Sequence, residues 1–340
     1  MSNGSPNLNQ LRDVTALLQE SLNQRSLNLL HWYRDQLDLL DVRVTSSTCG
    51  ANLYDFGLKH PGTLQGGRLL AEVCLAGLAD VQISQFPLGE YGLPAIQVST
   101  DHPVSACIAA QYAGWPVTSE KYYAMGSGPA RLLRGREPML EQLGLREESE
   151  VAVLVLETSR PPSDELLQSI ATECRVDPRN LHVAMARTAS LAGLIQIVAR
   201  SVETTLHKLY ELGFDLHTIR SAVGWAPLPP VPANDLVGIG WSNDAILYGA
   251  RAHLLVDADQ AEIAKLSGRL TSDSSADFGA PFQEIFERYG RDFYQIDKLL
   301  FSPAQATLNN LRTGSVFTSG RLHHELLLRS FGLTHDKSSS

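Results

Sequence analysis

A continuous apolar run at Val151–Glu157, with acidic residues at its ends, narrows the choice of folds more than any other segment. A run of this length without polar alternation is typical of a strand that is buried on both faces. Ser163–Glu165 then has the composition of a helix start, and Leu181–Ala186 is a second apolar strand. Strands and helices that alternate in this way predict an α/β class, or an α+β class with mixed sheets.

The remaining pattern extends the same alternation along the chain. Apolar residues at helical spacing predict helices over Leu8–Leu40, Arg68–Gly77 and Val104–Ala113, and one long helix from Thr188 to Leu212. Short apolar or alternating runs predict strands at Val42–Ser46, Val81–Phe86 and Ala95–Ser99. Turn residues predict ordered loops at Pro227–Pro232 and Ser272–Gly279, and a further loop segment from Gly224 to Pro227.

The length of 340 residues indicates about two domains. We expect an N-terminal α/β domain over residues 1–150, which contains a glycine-rich segment. A C-terminal α/β domain over residues 151–330 would contain a helix with an Arg/Glu pair. The Ser-rich end, residues 331–340, is predicted to be a frayed tail.

Composition excludes several classes of function. Hydrophobic residues make up 44% of the chain and charged residues 19%, as in an ordinary globular protein. The net charge of −9 opposes binding to nucleic acid or to an anionic membrane surface. The four cysteines are widely spaced and the N-terminus lacks a signal-peptide pattern, so we expect free thiols and a cytoplasmic protein.

A glycine-rich segment, Gly126–Ser127–Gly128, precedes Pro129 and a predicted helix that contains Arg131. Two glycines around a serine allow backbone N–H groups to converge on an anion, and an arginine would add charge. The segment matches neither a P-loop nor a dinucleotide fingerprint. It is predicted either to bind an anionic part of a ligand or to be a tight strand-to-helix turn without one.

Arg200 and Glu203 are spaced to share a helix face within an otherwise apolar stretch. Burial raises the pKa of a glutamate and a nearby arginine lowers it, so such a pair can act as a general base that positions water. An ordinary intrahelical ion pair is the structural alternative. Neither histidine nor carboxylate spacing supports a metal site.

Later loops place aromatic side chains beside carboxylates and amides. Asp277 stands in one of them, within the segment Ser274–Phe282, and a second aromatic segment follows at Asp292–Asp297. Such surroundings suit a flat heteroaromatic ligand that stacks on rings and forms hydrogen bonds at its edge. Most of these aromatic residues are predicted to belong to the core.

Several long strings taken together resemble the methenyltetrahydromethanopterin cyclohydrolase family, in the right order from Cys49 to Gly320. They are Gln111–Trp115, Tyr123–Arg131, Ala199–Thr204, Asp277–Phe286, Asp292–Asp297, Leu300–Ala304 and Asn309–Gly314. Departures are an alanine at 222, where the family usually has glycine, and Thr271–Ser272 in place of Pro-Ser.

The resemblance implies a cytoplasmic, metal-independent hydrolase of one-carbon metabolism. Such an enzyme interconverts the 5,10-methenyl and 5-formyl forms of tetrahydromethanopterin, with the coenzyme as substrate and no tightly bound cofactor. The family is a homotrimer with a two-domain fold, and the pterin binds in a cleft between the domains. Its catalytic arginine and glutamate match Arg200 and Glu203. Gly126, Ser127, Gly128, Arg131 and Asp277 are the expected substrate-binding residues.

Three other functions stay open at this stage. The chain could be a non-catalytic protein that binds the pterin coenzyme of one-carbon transfer. It could be a nucleotide- or phosphate-binding enzyme that uses the glycine-rich segment. A cyclohydrolase that accepts folate is the third, because both coenzymes present the same reactive carbon.

Overall fold

The computed structural model describes residues 20–266 and 268–333, and these residues contain strands of two sheets. In chain order the strands are β1 (Arg43–Ser46), β2 (Asn52–Gly57), β3 (Asp80–Leu88), β4 (Tyr91–Thr100), β5 (Trp115–Ser119), β6 (Tyr122–Ser127), β7 (Ala152–Glu157), β8 (Leu181–Ala186), β9 (Ile219–Pro227), β10 (Arg251–Val256), β11 (Gln305–Asn310) and β12 (Val316–Gly320).

Helices connect and cover these strands. They are α1 (Leu22–Trp32), α2 (Leu64–Cys74), α3 (Ala130–Arg134), α4 (Pro138–Gln142), α5 (Asp164–Cys174), α6 (Leu191–Val198), α7 (Ser201–Glu211), α8 (Asp235–Gly249), α9 (Gln260–Ala264), α10 (Phe282–Arg288) and α11 (His324–Ser330), together with a π-helix at Val104–Gln111. Within the described residues, no helix is long and apolar enough to cross a membrane.

The first sheet has the strand order β1-β2-β8-β7-β6-β5 and is covered by helices on both faces. Strands β2, β8 and β7 run parallel, and the other neighbours pair antiparallel. Along β7, Leu154 and Leu156 pack with residues of α3 and α5, whereas Val153 and Val155 pack with residues of α1 and α2. The apolar run is therefore a strand buried on both faces, as the sequence predicts.

The second sheet has the strand order β12-β11-β10-β9-β4-β3, with one parallel pair, β10 and β11. Its buried residues, among them Val98 and Leu254, belong to a large apolar core with α7, α8 and the π-helix. Alternate residues such as Val223 and His253 are exposed. Two mixed sheets with intervening helices confirm the predicted α/β class with mixed sheets.

The long helix predicted from Thr188 to Leu212 is wrong, because the chain forms two helices. Helix α6 begins after Ser190, whose hydroxyl accepts from the Gly193 N–H at 3.0 Å, and it ends at Val198. Helix α7 begins at Ser201, so Arg200 lies in the break between the two helices. Apolar spacing continues through the break, which explains why periodicity did not reveal it.

Several other expectations need adjustment. The loop predicted to begin at Gly224 is strand β9 as far as Pro227. The apolar positions before residue 20 that suggested a longer first helix lie outside the described residues, as does the tail from 334 onward. Phe331, placed in the tail by the sequence, is 2% exposed and packs in the core.

The boundary expected near residue 150 does not separate the sheets, because each sheet takes strands from both sides of it.

Candidate active site

Arg200 lies at the break between α6 and α7 and reaches from there to the first sheet. Its Nη2 donates to Ser127 Oγ at 3.1 Å and to Gln196 Oε1 at 3.0 Å, and its Nη1 donates to the Gln111 carbonyl oxygen. The residue is 9% exposed. A guanidinium has five N–H donors in a fixed fork, so neutral acceptors on three sides hold it in one orientation.

A side chain from a distant part of the sequence stabilises the break that positions Arg200. The side-chain amide of Gln111, at the end of the π-helix, donates to the Ala199 carbonyl oxygen at 3.1 Å. This bond satisfies a carbonyl group that the end of α6 leaves without an intrahelical partner. The Thr204 N–H then donates to the Arg200 carbonyl oxygen at 2.8 Å, which starts α7.

Glu203 stands in the first turn of α7, with a carboxylate oxygen 4.0 Å from Arg200 Nη1. The residue is 6% exposed, and burial raises its pKa to about 7, against the opposing charges of Arg200 and Arg131. The positive end of the helix dipole also favours a carboxylate in the first turn. A separation of 4.0 Å is longer than a hydrogen bond, so Arg200 stabilises the charge and leaves the oxygens able to accept protons from a ligand.

Tyr112 and His207 form one side of this site. Their rings stack with centroids 5.2 Å apart, and the Tyr112 hydroxyl lies 3.5 Å from His207 Nε2. Burial raises the pKa of Tyr112, and the charge of Glu203 adds to that rise. Burial lowers the pKa of His207. Both side chains are therefore neutral near pH 7, whereas Glu203 becomes charged as the pH rises through its pKa of about 7.

The glycine-rich segment has a different geometry from an anion-binding loop. Gly126 and Ser127 lie within β6 and pair with β7, and the Gly128 N–H donates to the Ala110 carbonyl oxygen at 2.8 Å. Gly128 has a φ of +90°, and a Cβ there would lie 3.1 Å from the Val153 carbonyl oxygen. These contacts occupy backbone groups that the anion-binding interpretation requires, whereas the Ser127 hydroxyl holds Arg200.

Arg131 directs its guanidinium into the protein interior. The side chain is fully buried, and it donates from Nε and Nη2 to the carboxylate of Glu137. Its Nη1 donates to the carbonyl oxygens of the π-helix at Ile108, Ala109 and Ala110. Direct substrate contact by Arg131 is therefore not supported; the residue holds the π-helix whose end binds Arg200.

Asp277 belongs to a separate network. Its carboxylate accepts from the Tyr289 hydroxyl at 3.0 and 3.1 Å, and Arg288 Nη1 lies 3.6 Å away. The Asp297 N–H also donates to it, at 3.4 Å. These contacts link residues on either side of α10. Its role in substrate binding remains a prediction.

Three groups that hold Arg200 were not identified from the sequence. Gln196 is four residues before Arg200, so helical spacing could have indicated it. Gln111 and Cys74, whose Sγ lies 4.0 Å from Arg200 Nη2, are far away in the sequence, and no local pattern marks them. Only the packing of the π-helix and α2 against the α6–α7 break reveals them.

The pair lies between the two sheets. Arg200 binds Ser127 of the first sheet, and a Cβ on Gly224 of the second would lie 2.7 Å from the side chain of Val202. A carboxylate with a pKa near 7, beside a fixed guanidinium, can accept a proton from water and return it to a leaving group. Among the described residues, no three histidine, cysteine or carboxylate side chains are grouped as metal ligands.

Comparisons with known proteins agree with the resemblance. A family model described as "Cyclohydrolase (MCH)" matches residues 21–331. The proteins of Methylobacillus flagellatus, 41% identical over 323 residues, and Methanosarcina barkeri, 40% over 317, are both named methenyltetrahydromethanopterin cyclohydrolase. The alignments cover 94% and 92% of this chain, and 97% and 98% of those proteins.

A third relative has the same name. It comes from Rhodopirellula baltica and is 45% identical over 290 residues, which are 84% of this chain and 87% of that protein. The family match includes the strands of both sheets and the segment that contains Arg200 and Glu203. The chain belongs to the cyclohydrolase (MCH) family and is a hydrolase that acts on carbon–nitrogen bonds in cyclic amidines.

Proposed function

We propose that this chain interconverts 5,10-methenyltetrahydromethanopterin and 5-formyltetrahydromethanopterin, with Glu203 as the general base and Arg200 as its positioning partner. The names of the relatives support the substrate. The observation that carries the assignment of residues is the buried pair itself, with a 4.0 Å separation and a pKa of about 7 for Glu203.

The reaction begins when a water molecule attacks the methenyl carbon. The water oxygen forms a bond to this carbon, and Glu203 accepts one water proton. The C–N10 bond then breaks as the hydroxyl group becomes a carbonyl group. N10 takes a proton from Glu203, and the hydroxyl proton passes to solvent through the same carboxylate. The products are the N5-formyl compound and one released proton. General base catalysis of this kind contributes roughly 10²–10⁴-fold.

The substrate already carries a positive charge on its amidinium group, so the carbon is electrophilic without a Lewis acid. We therefore propose a metal-independent mechanism in which the coenzyme is the substrate and no cofactor is tightly bound. The ionised carboxylate of Glu203 also offsets the substrate charge. Arg200 keeps this carboxylate ionised in a buried site, because its charge lowers the pKa that burial raises.

The resemblance also supports a cytoplasmic homotrimer with the pterin in a cleft between domains. We propose the same assembly for this chain on that resemblance, and the position of Arg200 between the two sheets supports the location of the cleft. Light scattering coupled to size-exclusion chromatography would give three times the chain mass of 37.2 kDa if the proposal is correct. A monomer at micromolar concentration would contradict it.

The test of the reaction is spectrophotometric. Purified protein is added to the methenyl forms of tetrahydromethanopterin and tetrahydrofolate in parallel, and the loss of near-ultraviolet absorbance is followed against a blank. We expect rapid loss with the methanopterin coenzyme. A protein that binds the coenzyme without changing its absorbance would be the non-catalytic alternative. Faster loss with the folate coenzyme would reverse the assignment of substrate.

A further inference from the structure

A second carboxylate, Glu157, lies on the same face of the first sheet as the catalytic pair. It ends β7, and by strand alternation its side chain follows Val153 and Val155 on the face that packs against α1 and α2. Val155 is paired with Ser127, so Glu157 is a diagonal neighbour of Ser127, with Cα atoms about 7–8 Å apart. Because Ser127 binds Arg200, Glu157 stands beside the guanidinium.

Glu157 has acceptor capacity that the protein does not use. The Thr188 hydroxyl donates to its Oε1, and this is its one hydrogen bond to a side chain among the described residues. Asp235 stands nearby, but the Ala189 N–H and the Arg187 guanidinium occupy its oxygens. Burial raises the pKa of Glu157, while Thr188 and the charge of Arg200 lower it.

We propose that Glu157 binds the aminopyrimidinone edge of the coenzyme, and this inference rests on the proposed function. A pterin ring carries an N–H at position 3 and an amino group at position 2, which point in parallel from one edge. A carboxylate offers two oxygens at a matching separation, and such paired, charge-assisted bonds are among the stronger ones in proteins. Each carboxylate oxygen has two acceptor sites, so the bond from Thr188 does not prevent this contact.

The arrangement orients the substrate along the face of the sheet. The aminopyrimidinone edge and the methenyl bridge lie at opposite ends of the coenzyme ring system. With the edge at Glu157, the bridge extends past Ser127 towards Arg200 and Glu203. Glu157 thus acts in binding, and Glu203 in the transfer of protons.

The first test is the substitution Glu157→Gln. Glutamine keeps the size of the side chain and an oxygen for Thr188, but it replaces an acceptor with an NH2 donor that faces the donors of the pterin. We expect KM for the methenyl coenzyme to rise roughly 10- to 100-fold, with kcat changed less than threefold. The matched control is Glu173→Gln. Glu173 lies on α5 and its carboxylate is paired with Arg134, so this substitution should leave both constants unchanged.

The second test does not depend on turnover, and its wild-type measurement does not depend on a variant that folds. Calorimetry compares the binding of 6-methyltetrahydropterin with that of 6-methyltetrahydrolumazine, which has an oxygen in place of the 2-amino group. The wild type should prefer the pterin at least tenfold, and Glu157→Gln should abolish this preference. An active wild type that binds both equally, or a Glu157→Gln variant with unchanged KM, would overturn the inference and leave the proposed function intact. A wild type that neither turns over the coenzyme nor binds either compound would overturn both.

Discussion

At the scale of single residues, the distances around Arg200 support the proposed role of Glu203 as a base. The guanidinium donates to neutral acceptors on Gln111, Ser127 and Gln196, and the carboxylate lies 4.0 Å from it. Glu203 therefore feels the positive charge without a close ion pair. A bidentate ion pair would have lowered its pKa well below neutrality.

The pKa of Glu203 predicts the pH dependence of the reaction. A general base must be ionised, so kcat/KM should fall below about pH 7, where Glu203 is protonated. The charge of Arg200 lowers this pKa, so Arg200→Gln should move the acidic limb to higher pH and reduce the maximum. Initial rates from pH 5 to 9, corrected for uncatalysed hydrolysis, measure both effects. A flat profile in the wild type, or a limb that moves to lower pH in the variant, would contradict the assignment.

The same residue should make the fold less stable at alkaline pH. The pKa of Glu203 is 4.5 in its ordinary state and about 7 in the folded protein. Below pH 4.5 the carboxyl group of Glu203 is protonated in both the folded and the unfolded protein, so its burial does not lower the free energy of unfolding. Above pH 7 the group is ionised in both states, and burial of the charge destabilises the folded protein. This difference in pKa between the two states lowers the free energy of unfolding by about 3 kcal/mol at pH 8.

Glu203→Gln mimics the protonated form, so it should raise the melting temperature at pH 8 by roughly 3–6 °C and have little effect at pH 5. Differential scanning calorimetry at the two pH values makes the comparison. Equal melting temperatures of wild type and variant at pH 8 would show that the buried charge carries no such cost.

At the scale of elements, the left-handed turn after β6 fixes Ser127 in front of Arg200. Gly128→Ala places a Cβ at a φ of +90°, close to the Val153 carbonyl oxygen and the Val155 nitrogen. We expect a loss of roughly 1–3 kcal/mol in the free energy of unfolding. Urea denaturation measures this loss. Gly92→Ala, with no heavy atom within 4 Å of the added Cβ, is the control and should be nearly neutral. Equal losses in the two variants would contradict this account.

The elements also show what a sequence can reveal. Val151–Glu157 and Leu181–Ala186 were identifiable as buried strands because their residues alone carry the pattern. The break at Arg200 was not, because its cause is a hydrogen bond from Gln111, which is 88 residues away from Ala199. The spacing of Arg200 and Glu203 predicted that they share a helix face, and the family resemblance implied their catalytic role. For the same reason as the break, neither revealed the acceptors that hold Arg200. Glu157 was visible only as the acidic end of a strand.

At the scale of the whole molecule, both sheets combine strands from before and after residue 150. The first sheet would lose its central strands β7 and β8 if the chain were divided there, and the second would lose β9 to β12. The site is divided in the same way, since Ser127 and Arg200 come from different sides of the boundary. Composition and length indicate the size of domains but not which strands share a sheet.

Division of the chain should therefore prevent folding of either part. A fragment of residues 1–150 would expose apolar faces of both sheets, so we expect no cooperative thermal transition and no native-like near-ultraviolet circular dichroism. Mixing it with a fragment of residues 151–340 tests whether the two parts complement each other. A cooperative transition in the isolated N-terminal fragment would show that the sheets can form without their partner strands.

The most direct test of the central claim is the turnover of Glu203→Gln with the methenyl coenzyme at pH 8, where the wild-type carboxylate is ionised. Glutamine fits the same space but cannot accept a proton from water. We expect kcat to fall roughly 10²–10⁴-fold, while a native circular dichroism spectrum shows that the fold is retained. A folded variant with wild-type kcat would contradict the role of Glu203 as the general base.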